Sequence, residues 1–230
     1  MPDQMSLAIR LAAAATGLLA AGSAHASFTV IKNYADWSAA AGEHSTIDFV
    51  TNTVQLINFQ YANLGVLFPD GTEISYSLPS LFLQDGWGCE GSIGGTGDVH
   101  IRFLQPVTAV GAWFPGELYA KLYFQGQLIY SSPNLRTTPL TYGFGGIVAT
   151  QPFDEAVLYS TTSFVNIDDI LFSPPIDLAP GDIDGDGAVN GSDLAILLGD
   201  WGPGKSPADL NGDGKVDATD LALVLGSWTG

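Results

Sequence analysis

The sequence predicts a mainly β protein, a jelly-roll β-sandwich followed by a small α-helical unit built on two repeated loops. Three observations predict it. From Ser27 to Pro175, short apolar or alternating runs are parted by Gly, Pro and Asp turn signals at intervals of about 8–12 residues. Beyond Pro175 that pattern gives way to a tandem repeat, GDIDGDGAVNGSDLAILLGDW and then DLNGDGKVDATDLALVLGSW, with Asp209 standing 27 residues after Asp182. Hydrophobic residues at 46% against 13% charged describe a chain able to bury a core.

The first 26 residues read as a targeting segment. Arg10 supplies a weak n-region, LAAAATGLLAAG the apolar stretch, and Ala24-His25-Ala26 the small-x-small cleavage site, so Ser27 is the expected mature start, although Met5 could also initiate. The apolar run is shorter than the roughly 20 residues a membrane span needs. An exported protein with no membrane span is expected. Cys89 is the single cysteine, which excludes an intramolecular disulfide and leaves a small exported unit in need of another staple.

From Ser27 the pattern defines a sandwich domain over 27–175, a linker over 176–180 and a C-terminal unit over 181–230. NYADWSAAAG is a short helix that Asn33 can cap and Gly42 can stop. Strands follow at STIDFV, QLINFQY, GVLF, TEISYS, VHIRF, VTAVGAWF, LYAKLYF, QLIYSS, LTYGFGGIVAT, EAVLYSTT and VNIDDILF. Turns are expected at Pro69-Asp70-Gly71, Gln105-Pro106, Pro115-Gly116 and Gln125-Gly126. In VHIRF, Val99, Ile101 and Phe103 share one face and His100 and Arg102 the other, the mark of a half-exposed strand.

The helix followed by TIDFV, then QYANLGVLF and the closing NIDDILF resemble a family of secreted bacterial jelly-roll surface domains, related to galactose-binding-like and often carbohydrate-binding modules. That resemblance implies a fold and, at most, a glycan ligand. Residue chemistry adds little. The acids Asp48, Glu117, Asp154, Glu155, Asp168 and Asp169 form no paired-carboxylate motif of the kind glycosidases use, and His44 and His100 sit in no triad. The glycine-rich GWGCEGSIGGTGD lacks GK[ST], so it reads as a long loop rather than a phosphate cradle. Asp48 with Asp168 or Asp169 could hold a structural calcium between an early and the last strand, or the inward Asp could serve as a buried acceptor. Of Trp87, Trp113, Tyr119, Tyr123 and Tyr130, Trp87 in the glycine-rich loop is the candidate sugar platform, and Trp113 is expected in the core.

The repeats carry the strong chemical signal. Asp182, Asp184, Asp186, Asn190 and Asp193 occupy positions 1, 3, 5, 9 and 12 of a twelve-residue oxygen-ligand loop, and Asp209, Asn211, Asp213, Asp217 and Asp220 occupy the same positions of a second. Gly187 and Gly214 fall at position 6, where such a loop turns sharply. Hard oxygen ligands in this spacing point to calcium. The segment 181–230 holds nine Asp against two Lys, so its acidity is a ligand supply. The whole chain carries −17 with seven basic residues, which argues against nucleic acid as a partner. After each loop comes an apolar stripe at i, i+3, i+4 and i+7: Leu194, Leu197, Leu198, Trp201, and Leu221, Val224, Leu225, Trp228. Each unit is therefore one loop feeding one helix, without the entering helix of an EF-hand. Val189 and Val216 are placed to pair with each other and join the loops.

That arrangement resembles a type I dockerin. On the family pattern the side chains above hold two calcium ions, Ala188 and Lys215 lend backbone carbonyls at position 7, and Asp replaces Glu at position 12. The family docks to cohesin-bearing scaffolds. This chain has Gly191-Ser192, Ala218-Thr219, Leu198-Gly199 and Leu225-Gly226 where cohesin-recognising members often carry Ser-Thr and Lys-Arg pairs. The expected protein is thus a secreted, non-catalytic calcium binder with a polysaccharide- or glycan-binding sandwich and a cohesin-like partner, with a role in polysaccharide degradation. A glycoside hydrolase or lyase on the jelly-roll scaffold and a structural envelope protein are the alternatives.

Overall fold

A computed structural model describes residues 26–49, 55–69, 72–76, 87–90, 97–136, 142–161, 165–204 and 206–230. Residues 1–25 of the expected targeting segment lie outside them. For 55–56, 73–76 and 87–90 only the backbone is described. In chain order the elements are β1 Phe28–Ile31, α1 Tyr34–Ala41, β2 Ser45–Ile47, β3 Gln55–Ile57, β4 Val66–Leu67, β5 Thr72–Tyr76, β6 Trp87–Glu90 and β7 Val99–Pro115. Then follow β8 Tyr119–Phe124, β9 Gln127–Ser131, β10 Tyr142–Tyr159, β11 Asn166–Ile167, β12 Ile170–Phe172, α2 Gly191–Gly199, β13 Gly202–Pro203, β14 Lys215–Val216 and α3 Ala218–Gly226.

Two antiparallel sheets form the sandwich. The larger runs β2-β12-β7-β10-β8-β9, with β1 added to β10 and β4 to β7; the smaller runs β11-β6-β5-β3. Their inward faces meet in one core that includes Ile57, Val99, Ile101, Phe103, Leu122, Phe153, Ile167 and Ile170. No helix among the described residues is long and apolar enough to cross a membrane.

Several expected boundaries move. VHIRF and VTAVGAWF are one strand, β7, and Gln105-Pro106 is not a turn. Pro106 lies where the β7–β10 register shifts between Arg102 and Val107, so its missing N–H forfeits no ladder bond. LTYGFGGIVAT and EAVLYSTT fuse likewise into β10 across Gln151-Pro152. VNIDDILF does the reverse. It splits into β11 and β12 in different sheets, so Asp168 and Asp169 lie at the crossover between strands rather than within a last strand. Part of the glycine-rich stretch expected as a loop is strand: Trp87–Glu90 pairs with both β5 and β11.

Other expectations stand. Asn33 caps α1 by accepting from the Asp36 N–H, and Gly42 ends it at φ 74°. Gln125 and Gly126 both take positive φ, 51° and 80°, which gives the β8–β9 hairpin a tight turn matched to strand twist. The VHIRF alternation holds. Val99, Ile101 and Phe103 are buried, and Arg102 and His100 meet Glu155 across β10 at 3.3 Å and 3.9 Å. Trp37, fully buried, docks α1 onto the larger sheet. It donates from Nε1 to the Ile147 carbonyl at 3.3 Å. Its indole fits only because Gly146 lacks a side chain, since a Cβ there would stand 2.6 Å from Trp37 Nε1.

Candidate metal centre

The two repeats fold as loop then helix, and each helix starts on its own loop. Asn190 is the N-cap of α2: its side chain accepts from the Ser192 N–H, and the Asp193 carboxylate returns to the Asn190 N–H at 2.8 Å. Asp217 and Asp220 repeat this at α3, again at 2.8 Å. Positions 9 and 12, expected as ligand positions, therefore form a capping box, a role legible in the N-x-x-D and D-x-x-D spacing but not drawn from it. Each position-12 carboxylate also bends its loop back on itself. Asp193 Oδ1 accepts from Ile183 N at 2.6 Å and Asp184 N at 3.2 Å, and Asp220 Oδ1 accepts from Leu210 N at 2.9 Å and Asn211 N at 3.2 Å. The backbone N–H donors hold Asp220 below the usual carboxylate range, the Asp217 N–H foremost.

The turns behave as expected and more. Gly187 and Gly214 at position 6 take φ 87° and 90°, and Gly185 and Gly212 at position 4 also lie in the left-handed region at 74° and 73°. Position 1 closes the turn: Asp182 accepts from Gly187 N at 3.0 Å and Asp209 from Gly214 N at 2.8 Å. Asp186 accepts from Ala188 N, and Asp213 from Lys215 N, so positions 5 and 7 are tied in both copies.

The first loop has the more pronounced metal character. Carboxylate oxygens of Asp182, Asp184 and Asp193 lie within 4.8 Å of one another, the one such group of three acidic, His or Cys side chains among the described residues. The second loop has the amide Asn211 where the first has Asp184. Asp182 Oδ1 is buried without a hydrogen-bond partner, and burial raises Asp182 and pushes Asp184 up to about 6. A buried oxygen without a donor beside two further carboxylates fits a hard cation, the chemistry that position-coded oxygen loops supply. In the second loop a side-chain cation already stands near. Lys215 Nζ lies 2.6 Å from Asp217 and 3.7 Å from Asp213, and its bond holds the Asp217 carboxyl down at about 2. That pairing was not anticipated.

Two expectations about the helices need correction. Of the apolar stripes, Leu197 and Val224 are fully buried, whereas Leu198, Trp201, Leu225 and Trp228 are 55%, 48%, 55% and 41% exposed. The position-12 Asp, turned into its loop, sets the rotation of each helix. The residue four further on, Leu197 or Val224, then faces the core, and the next one faces out. Val189 and Val216 share one buried cluster, but their backbones do not pair with each other. Val216 pairs with Gly202, just after α2, and Val189 exchanges bonds with Thr229, just after α3. Each loop is thus clasped to the end of the other repeat's helix.

Among its described residues the sandwich gathers no comparable site. Asp168 is buried and accepts from the Tyr142 hydroxyl, the acceptor role weighed for it, while Asp169 is half-buried. Glu117 accepts from Ser160 Oγ and from Thr161 N and Oγ1, and Asp154 accepts from Gln125 N. Trp113 is half-buried rather than core, stacked on Tyr142 at 5.6 Å. Tyr119, Tyr123 and Tyr130 are half-buried, with Tyr119 stacked on Tyr159 and Tyr130 on Phe28. The side chains of Trp87 and Cys89 lie outside the described residues.

Two capped oxygen loops, each feeding one helix and clasped crosswise, define a tandem loop–helix module. Residues 180–226 match the family model of the Dockerin type I domain, and this C-terminal segment is a dockerin of that type. No curated protein matches the chain. Among solved structures the chain is similar to a carbohydrate binding module of family 29, at 12% identity, covering 64% of this chain and 84% of that one with a TM-score of 0.25. It is also similar to the CBM51-2 and INT domains from Clostridium perfringens ZmpB, at 12% identity, covering 81% of this chain and 42% of that one with a TM-score of 0.26. Scores this low bear on neither the ligand nor the role of the sandwich.

Proposed function

We propose that this is a secreted calcium-binding protein in which a sandwich over 27–175 is carried on a dockerin over 181–230, across a linker at 176–180, for calcium-dependent docking to a cohesin-like partner. The observation that carries the reading is the unpartnered buried oxygen of Asp182, set with Asp184 and Asp193 in a loop that the dockerin match covers. Asp182, Asp184, Asp186, Asn190 and Asp193 with the Ala188 carbonyl would hold one ion; Asp209, Asn211, Asp213, Asp217 and Asp220 with the Lys215 carbonyl would hold the second. Calcium supplies the positive charge that lets these carboxylates sit together; the chain supplies the turns and caps that aim them. The outward Leu198, Trp201, Leu225 and Trp228 form apolar surface of the kind that marks a partner site.

The sandwich is assigned a binding role, toward a glycan, in polysaccharide breakdown; its acids Glu117, Asp154, Glu155 and Asp168 are engaged in holding turns, strands and the crossover. The test is retention of the full chain on immobilised cohesin domains with calcium and with chelator, alongside calcium stoichiometry by calorimetry. Two ions bound and retention lost in chelator are expected. Retention that is indifferent to chelator, or no calcium uptake, would overturn the reading.

A further inference from the structure

The two loops are copies, and so provide an internal comparison. Their hydrogen bonds match residue for residue at the position-12 carboxylate, yet their surroundings differ. Asp182, Ile183 and Gly185 of the first loop are buried, whereas the equivalent Asp209 and Leu210 of the second are half-buried and Gly212 is exposed. The sandwich makes the difference. A Cβ on Gly185 would stand 2.7 Å from Pro152 Cγ and 3.1 Å from the Phe124 ring, while one on the equivalent Gly212 would meet nothing within 4 Å. Gln151 Nε2 donates to the Asp184 carbonyl at 3.0 Å. Around these contacts a cavity of about 170 Å³ is lined by Phe124, Ile129 and Gln151 from the sandwich and by Ile183, Asp184 and Ile196 from the repeat.

We infer that the β8–β9 hairpin end of the sandwich, with the Gln151-Pro152 bulge of β10, is a built-in partner of the first calcium loop, so that ion binding there and docking of the two modules are one coupled equilibrium. This rests on the calcium reading above. The covering residues hold the position 1–4 backbone in its bent form before an ion arrives, which removes part of the ordering cost of binding. They also exclude water, so the gathered carboxylates repel more strongly without a cation and attract one more strongly. By reciprocity, an ion that favours the covered loop favours the docked modules by the same factor. The second loop, uncovered, lies outside this coupling and leaves its outer face open.

The experiment uses the full chain. Calcium titration by calorimetry on the natural sequence and on Gln151→Leu, which keeps bulk and removes the donor, is expected to show one site weakened about two- to tenfold, the net worth of one hydrogen bond, and the other unchanged. Hydrogen exchange of sandwich peptides spanning 122–131 and 148–154 is expected to slow when calcium is added. Calcium constants indifferent to Gln151→Leu, or calcium-dependent protection confined to 181–230, overturn the coupling while leaving the ion sites standing. A natural chain that takes up no calcium overturns both.

Discussion

Asp184 and Lys215 make the two loops electrostatically unlike. Burial raises Asp184 to about 6, so between about pH 4 and 6 the unfolded chain has lost this proton and the folded, ion-free loop has kept it. The sign follows: stability of the calcium-free repeat falls as pH rises through that window. In chelator the repeat should therefore hold more helical circular-dichroism signal at pH 5 than at pH 7, and Asp184→Asn should flatten the difference. Asp217, held near 2 by Lys215, acts the other way, contributing stability above its unfolded value that is lost as pH falls from about 4 to 2. Lys215 also places a positive charge beside two carboxylates of the second loop. Lys215→Met should tighten calcium at that loop severalfold in low salt, with the gain fading as ionic strength rises. Titration of the variant at two salt concentrations checks this.

Elements here depend on small local choices. α1 is an eight-residue helix that persists because Asn33 caps it and Trp37 anchors it over Gly146. Trp37→Ala should cost about 3–5 kcal/mol by emptying a buried site. Gly146→Ala should destabilise as well, because the indole cannot stay where it is. Chemical denaturation of both variants gives the comparison. In the repeats, Asn190→Ala should cost about 1 kcal/mol of calcium-loaded stability through the lost cap alone. The long strands β7 and β10 show why turn signals mislead. Gln105-Pro106 reads as a turn and the expected strands stop at Thr150 and resume at Glu155, but a bulged register absorbs a proline without interrupting the ladder.

At the scale of the whole molecule, the sandwich has a continuous core of its own, and the repeat buries only the small cluster around Ile183, Val189, Leu197, Ala208, Val216 and Val224. So small a core cannot offset the ordering entropy of about fifty residues, and its carboxylates repel. Chelation of the full chain at pH 7 should abolish the circular-dichroism signal of α2 and α3 while the β signal of the sandwich persists. A helical signal untouched by chelator would show that the repeat folds without metal. The residues themselves determined the oxygen-bearing loop spacing, the loop–helix order, the glycine turns and the sandwich class, since each rests on short-range spacing or on alternation along the chain. Tertiary structure alone decided that Asp168 and Asp169 sit at a crossover between sheets, that Leu198 and Trp201 face out, that each loop is clasped to the end of the other repeat's helix, and that the sandwich covers one loop of two. Those outcomes depend on which distant segments meet, and a side chain's spacing along the chain carries no record of its neighbour across the fold.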